Sequence, residues 1–326
     1  MTDASTGAIL KQVLPSRSPS LQFALAAALV AAAPLSAQAD PNWTPPGDID
    51  GLWDFATATP LQRPSAHADK EYFTADEAAQ FERDTIARRA EAQKRSPSVH
   101  APYWLDHGRH VQESRRTSLI FDPPTGRIPP MTEDGRRRAQ ERRDLRASPP
   151  TGPEDRNLWE RCLMGFNAGP PMNPGGYNNN VLILVTPDTV ALLNEMVHDT
   201  RIVPLDDEPR LPEHVRQFKG DSRGYWDGAT LVVETRNFDP RISFAGSGGN
   251  MRLVERFTRF DETTLIYEYT IDDPESFQRP WSARVEMKRS DQAIFEYACH
   301  EGNYGLLNIL EYARTNEKRA NEAPAE

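Results

Sequence analysis

RLVERFTRFDETTLIYEYTID, Arg252 to Asp272, decides the fold class. It holds two runs, Leu253 to Phe260 and Thr264 to Asp272, in which side chains alternate with the two-residue period of a strand. Asp261-Glu262 joins them as a short hairpin. In the second run one face carries Leu265, Tyr267, Tyr269 and Ile271, and the other Ile266, Glu268, Thr270 and Asp272. In the first, Leu253, Glu255 and Phe257 oppose Val254, Arg256 and Thr258. Neither face is purely apolar. The pattern fits a barrel with a solvated outside, or a polar interior in which buried charges are paired.

Outward from this hairpin the same texture continues in both directions. Upstream, Val181 to Val185 is turned by Pro187-Asp188, followed by Thr189 to Val197 and by Arg201 to Leu205, which Asp206-Asp207 turns. Val215 to Gly220, Gly224 to Trp226 and Leu231 to Thr235 come next, with Asp227-Gly228 as a two-residue hairpin turn. Downstream, Ser282 to Arg289 and Ala293 to Cys299 complete the series. No helical pattern intervenes, so the chain is mainly β. The strands form an antiparallel meander that closes into a barrel, because closure removes exposed edges. Leu306, Leu307, Leu310 and Ala313 recur at helical spacing and predict a short closing helix on the barrel. The barrel core with this helix spans 181–316, and 317–326 is a frayed tail.

Residues 40–180 read as a proline-rich wrap with two helices and one or two strands. Ile49 to Phe55 is a first strand, and Arg116 to Asp122 a second that Pro123-Pro124 ends. Thr74-Ala-Asp-Glu77 is a capping box, predicting a helix from Ala75 to Gln93. The segment 95–115 is irregular and gathers Tyr103, Trp104, His107 and His110. A basic helix over 132–146 carries Arg136, Arg137, Arg138, Arg142, Arg143 and Arg146, which reads as a solvated face. The stretch 147–180, rich in Pro, Gly and Asn, is long for a loop, and such loops are usually functional or mobile.

The N-terminus reads as an export signal. Lys11 and Arg17 precede an apolar run from Phe23 to Leu35, and Ala37-Gln38-Ala39 is a small-x-small cleavage site. Removing these 39 residues from 326 leaves 287, ample for one large core. The run is too short to span a bilayer, and no later segment predicts membrane insertion. The mature protein is therefore expected in the periplasm or secreted. With 48 acidic against 38 basic residues and a net charge of −10, the chain argues against nucleic acid as a partner. A small molecule is the expected partner, and the oligomeric state stays open.

Cys162 and Cys299 are the two cysteines. In an oxidising compartment they could form one disulfide, closing a loop of roughly 137 residues worth about 4–5 kcal/mol in chain-entropy terms. The alternatives are two buried thiols, or a nucleophilic Cys299 beside His300.

Two clusters carry acid–base chemistry. Glu195-Met-Val-His198-Asp199-Thr-Arg201 brings an imidazole, two carboxylates and a guanidinium within seven residues. Histidine is the usual general base, and a carboxylate commonly orients its second nitrogen. Cys299-His300-Glu301-Gly-Asn303-Tyr304 follows the last expected strand, where barrel ligand sites gather. A third segment, Gly220 to Trp226, places Asp221 and Arg223 beside Trp226; its bland reading is a structural ion pair. His198 and His300 with Glu195 or Glu301 could form a two-histidine-one-carboxylate site, but their spacing matches no metal motif and no metal is assigned. No P-loop, G-x-G-x-x-G, G-x-S-x-G or C-x-x-C-H is present, so no cofactor is expected.

Four blocks, 196–207, 219–238, 252–282 and 295–314, resemble a group of exported bacterial proteins over residues 115–315. The resemblance implies that these blocks form one unit. It supports His198, Asp199, Asp221, Arg223, Cys299, His300 and Glu301 as site candidates, and supplies no reaction. Gly51-Leu52-Trp53 is similar to the G-x-W that opens lipocalin barrels.

The expectation is thus an exported, cofactor-independent acid–base enzyme (lyase, isomerase, cyclase or hydrolase) acting on a small, largely apolar terpenoid, steroid or aromatic molecule. His198 is the base, Asp199 orients it, His300 or Glu301 is the acid, and Arg201 or Arg223 holds an oxyanion. Asp221, Arg223, Trp226 and Tyr304 bind substrate. The alternatives are a lipocalin-type binding protein without catalysis and an exported structural protein without a pocket.

Overall fold

In the computed structural model of the chain, residues 43–95, 105–205 and 209–322 are described. The expected signal segment, Tyr103, Trp104 and the Asp206-Asp207 turn lie outside them. All described residues belong to the unit Ala39–Glu326.

The meander is present and every strand pairing in it is antiparallel. The strands are β1 (Gly51–Asp54), β2 (Ile120–Asp122), β3 (Asn180–Val185), β4 (Thr189–Asn194), β5 (Asp199–Pro204), β6 (Asp221–Asp227), β7 (Thr230–Arg236), β8 (Arg252–Arg259), β9 (Thr264–Asp272) and β10 (Trp281–Arg289). Their hydrogen-bonded order is β5-β4-β3-β1-β10-β9-β8-β7-β6, with β2 attached to β10. The first strand therefore closes on the last, as in an up-and-down barrel. Trp53 pairs with Arg289 on one side and with Val181 on the other. Its ring is fully buried, donates Nε1–H to the Ile49 carbonyl at 2.9 Å and is flanked by the Arg259 and Arg289 guanidiniums.

One junction has no backbone ladder: β5 and β6 stand at the two ends of the hydrogen-bonded order. They nevertheless pack together. A Cβ on Gly224 of β6 would lie 2.7 Å from the Leu205 side chain and 2.9 Å from that of Val203, so only glycine admits this approach. The free strand edges are occupied by side chains. Lys219 binds the Thr200 carbonyl at 2.7 Å, and Arg210 binds that of Asp221 at 2.9 Å. These contacts block pairing with another chain.

The interior is filled. Leu253, Glu255 and Phe257 of β8 and Leu265, Tyr267, Tyr269 and Ile271 of β9 point inward with Trp53 and Trp281, all at most 1 % exposed. Met172, from the long 148–179 connection, also enters this core and donates its backbone N–H to the Tyr267 hydroxyl at 3.0 Å. The expected polar interior exists as a paired network, and the loop plugs the space an open lumen would need.

Three expected strands differ. Residues 293–299 are irregular, because β10 already has β9 on one edge and β1 and β2 on the other. Residues 215–220 cross the β5–β6 junction and make only an isolated bridge at Gln217. Arg116 to Asp122 shortens to β2, with a separate bridge at Arg116. Smaller shifts occur at turns: β4 ends at Asn194 rather than Val197, and Gly228-Ala229 forms the loop after β6, with Gly228 at φ +60°.

The helices are α1 (Ala75–Arg95), α2 (Glu133–Ala147) and α3 (Tyr304–Glu322). The capping box forms: Glu77 accepts from the Thr74 N–H at 2.8 Å, and Thr74 Oγ1 accepts from that of Glu77 at 3.3 Å. Thr132 caps α2, and Asn303 Oδ1 caps α3 by accepting from the Leu306 N–H. The closing helix is longer than predicted, continuing through 317–322. It docks on the wrap: Arg314 binds the Pro150 and Thr151 carbonyls, and Asn303 binds that of Glu160. Cys162 and Cys299 form a disulfide with Cα atoms 5.7 Å apart, which fastens the start of this C-terminal segment. No described helix is long and apolar enough to cross a membrane.

Candidate functional site

The site residues expected from sequence do not converge. His198 and His300 are both exposed, as is Glu301. Asp199 does not orient His198: one of its oxygens pairs with Lys219, and the other is buried with no hydrogen-bond partner. The Val197 and His198 backbones both lie in the left-handed region, with φ of 61° and 53°. Neither oxygen of the Asp199 carboxylate, next in sequence, hydrogen-bonds the His198 imidazole. Cys299 is bridged, so the nucleophilic reading of its thiol is overturned. No group of three or more His, Cys, Asp or Glu residues able to hold a metal occurs among the described residues.

Arg201 is not available to a ligand oxyanion. It is buried in a two-point ion pair with Glu255, at 2.6 and 2.9 Å. Glu255 also accepts from the Tyr267 hydroxyl at 2.7 Å. Burial, followed by the Glu255 carboxylate, pushes the Tyr267 hydroxyl well above its ordinary range. Burial acts to lower Arg201, but Glu255 overrides it and the guanidinium is held above its ordinary value. This is an interior cross-link, shut off from solvent. Asp221 and Arg223 form the structural pair at 2.6 Å, with the Leu211 N–H also on Asp221. Trp226 lies half-buried, its ring edge 2.8 Å from where a Cβ on Gly47 would stand. Tyr304 is 70 % exposed at the start of α3.

The cavities lie away from His198 and His300, although one of them is lined by Cys162, Cys299 and Asn303. Three are described, and no strand residue lines any of them. All three draw on the long connection before β3, so the loop whose length suggested function does shape the clefts. The cleft with the most distinct chemistry, about 500 Å³, lies between α2, residues 154–171 and residues 240–244. Its apolar wall includes Leu145, Trp159 and Phe166, which are 49 %, 47 % and 41 % exposed, together with Phe244, Pro170 and Pro171. Trp159 and Phe166 meet edge to face with centroids 6.4 Å apart.

Five arginines, Arg142, Arg146, Arg156, Arg161 and Arg241, share the polar part of its lining with Glu154, Asp155, Asn157 and Ser243. Arg156 is neutralised by Glu160 at 2.7 Å, Arg241 by Asp239 at 2.7 Å, and Arg161 faces Glu154 at 3.8 Å. Arg142 and Arg146 pair with no carboxylate among the described residues. Arg142 instead donates to the carbonyls of Ser247, Pro240 and Ile242 at 3.3–3.4 Å. Burial, then repulsion by Arg138 and Arg146, depresses its pKa below the ordinary value. The basic helix is thus not simply a solvated face: Arg138 and Arg142 turn inward onto the loops at the barrel end. Charge counting along α2 identified these arginines, but not which of them would be partly buried beside aromatic rings.

No protein-family model, curated protein or solved structure matches this chain.

Proposed function

We propose that the protein is an exported binding protein for a small amphipathic acid. The observation that carries this reading is the cleft of about 500 Å³ that sets an aromatic wall against two arginines lacking carboxylate partners. A partly buried cation such as Arg142 is costly without an anion, and the exposed Arg146 adds a second positive charge at the cleft. Trp159, Phe166 and Leu145 offer apolar surface to the ligand body. The reading keeps the small, largely apolar molecule expected from sequence and gives it a cleft that none of the expected site residues lines. Export is supported by the N-terminal apolar run with its cleavage site, and by the disulfide. Catalysis through His198 and His300 lacks comparable support, since neither lines a described cleft.

The test is a fluorescence titration with a medium-chain carboxylate and its matched alcohol. The carboxylate is expected to change Trp159 emission saturably, and Trp159→Phe to remove the change. Arg142→Ala with Arg146→Ala should weaken binding about ten-fold or more, the scale of a charge-assisted contact. Equal affinity for acid and alcohol would remove the basis of the reading.

A further inference from the structure

A second cleft, of about 710 Å³, shares no lining residue with the first. Helix α1 roofs it, and the manner of roofing is unusual. A helix on a protein body ordinarily turns an apolar stripe inward. Over its 21 residues α1 buries only Ala78 and Thr85. The positions that line the cleft recur at helical spacing, yet they include Gln80, Asp84, Arg88 and Arg89. The helix is held partly at the edges of this lining, which also includes Phe81 and His67, and partly at Glu82. Phe81 packs with Phe73 and His67, Glu82 accepts from the Val111 N–H at 2.9 Å, and Arg89 reaches the Gly108 carbonyl at 2.7 Å. Between these anchors a polar helix face looks into a cavity.

Two guanidiniums in that face lack an acid. Arg88 donates to Thr85 Oγ1 at 2.7 Å and Arg89 to a backbone carbonyl, and neither pairs with a carboxylate among the described residues. Arg89 is partly buried and repelled by Arg88. His107 also lines the cleft. Burial, then Arg89, lowers its pKa, so it is neutral at neutral pH and able to both donate and accept. Asp84 and Gln80 hydrogen-bond each other at 2.8 Å and bring acceptor oxygens to the same lining. The presence of Asp84 and Glu77 disfavours a polyanion. The paired cations favour a single negative charge, and the acceptor oxygens favour hydroxyl donors. The aromatic surface is already taken, because Arg88 lies over the Phe81 ring at 5.7 Å.

We infer that this cleft binds a polyhydroxylated carboxylate, such as a sugar acid. Its carboxylate sits on Arg88 and Arg89, and its hydroxyls meet Gln80, Asp84 and His107. The site is independent of the amphipathic-acid cleft.

Calorimetric titration of the full chain with D-glucuronate, D-glucose and inorganic phosphate tests the assignment. Glucuronate is expected to bind, with glucose and phosphate each weaker by about ten-fold or more. Arg89→Gln should weaken glucuronate by a similar factor, as should Arg88→Gln, whose exposed position spares the fold. Arg95→Gln, at the exposed end of α1, and Arg142→Ala, in the other cleft, should leave glucuronate affinity unchanged. The inference is overturned by no glucuronate binding, by equal affinity for glucose, by tighter binding of phosphate, or by binding that survives both Arg88→Gln and Arg89→Gln.

Discussion

Arg201 of β5 and Glu255 of β8 meet inside the barrel through two hydrogen bonds, 2.6 and 2.9 Å long, behind the one junction that lacks a backbone ladder. The gap between β5 and β6 is thus spanned by a buried charge pair, assisted by Val203 and Leu205 packing over Gly224. The same Glu255 takes the Tyr267 hydroxyl, which in turn accepts the Met172 N–H. One carboxylate links the open junction to the loop that plugs the barrel.

Breaking that pair from one side leaves a buried charge uncompensated. Glu255→Gln should destabilise the protein by about 3–5 kcal/mol, whereas Arg201→Met with Glu255→Leu should cost much less because no charge is stranded. Urea unfolding of the three proteins distinguishes them. Equal losses for the single and double variants would show that the pair does not act as a unit.

Tyr267→Phe removes the hydroxyl and leaves both the Met172 N–H and one Glu255 lone pair unsatisfied. The expected cost is about 1–3 kcal/mol. Amide exchange at Met172 should quicken more than exchange in β8 or β9, because those ladders remain intact.

The disulfide ties residues 137 apart, so replacing both cysteines by serine should lower stability by about 2–4 kcal/mol. Limited proteolysis should then cut first in the irregular 290–303 segment ahead of α3. If unchanged proteolysis accompanied full removal of the bridge, the contacts of Asn303 and Arg314 alone would suffice to hold the helix.

Asp54 gives the protein a pH dependence of defined sign. Burial raises its carboxyl from an ordinary 3.8 to about 6, and the Asp106 and Glu195 carboxylates add to the effect. The folded state therefore holds this proton more tightly than the unfolded chain. The stabilisation is fully present below the ordinary value and is lost as pH rises through about 6. Asp54→Asn retains an acceptor for the Ala56 N–H that Asp54 binds at 2.7 Å. After allowance for partial exposure, the variant should be about 1–2 kcal/mol more stable than the native protein at neutral pH. That advantage should vanish near pH 4, and a gap that persisted there would trace to something other than this titration.

The sequence by itself determined the strands whose alternation and turns are local. Leu253 to Asp272 declared a hairpin, the Thr74–Glu77 box started α1, and Asp227-Gly228 located a turn within one residue. The chain's acidic balance and its two cysteines were equally legible. Tertiary structure alone decided which face of each strand is interior, and so settled Glu255, which alternation left open between a solvated and a paired interior position, as the partner of Arg201. It also decided that β10 has no free edge, which leaves 293–299 outside the sheet despite its alternating pattern. The two clefts were hidden for a related reason. Their walls come from α1, α2 and the long connection, segments without a shared periodicity, and a side chain's loss of water depends on neighbours distant in sequence. His198 and Asp199 show the converse: adjacency along the chain suggested a dyad, whereas the fold gives the Asp199 carboxylate to Lys219 and leaves His198 exposed.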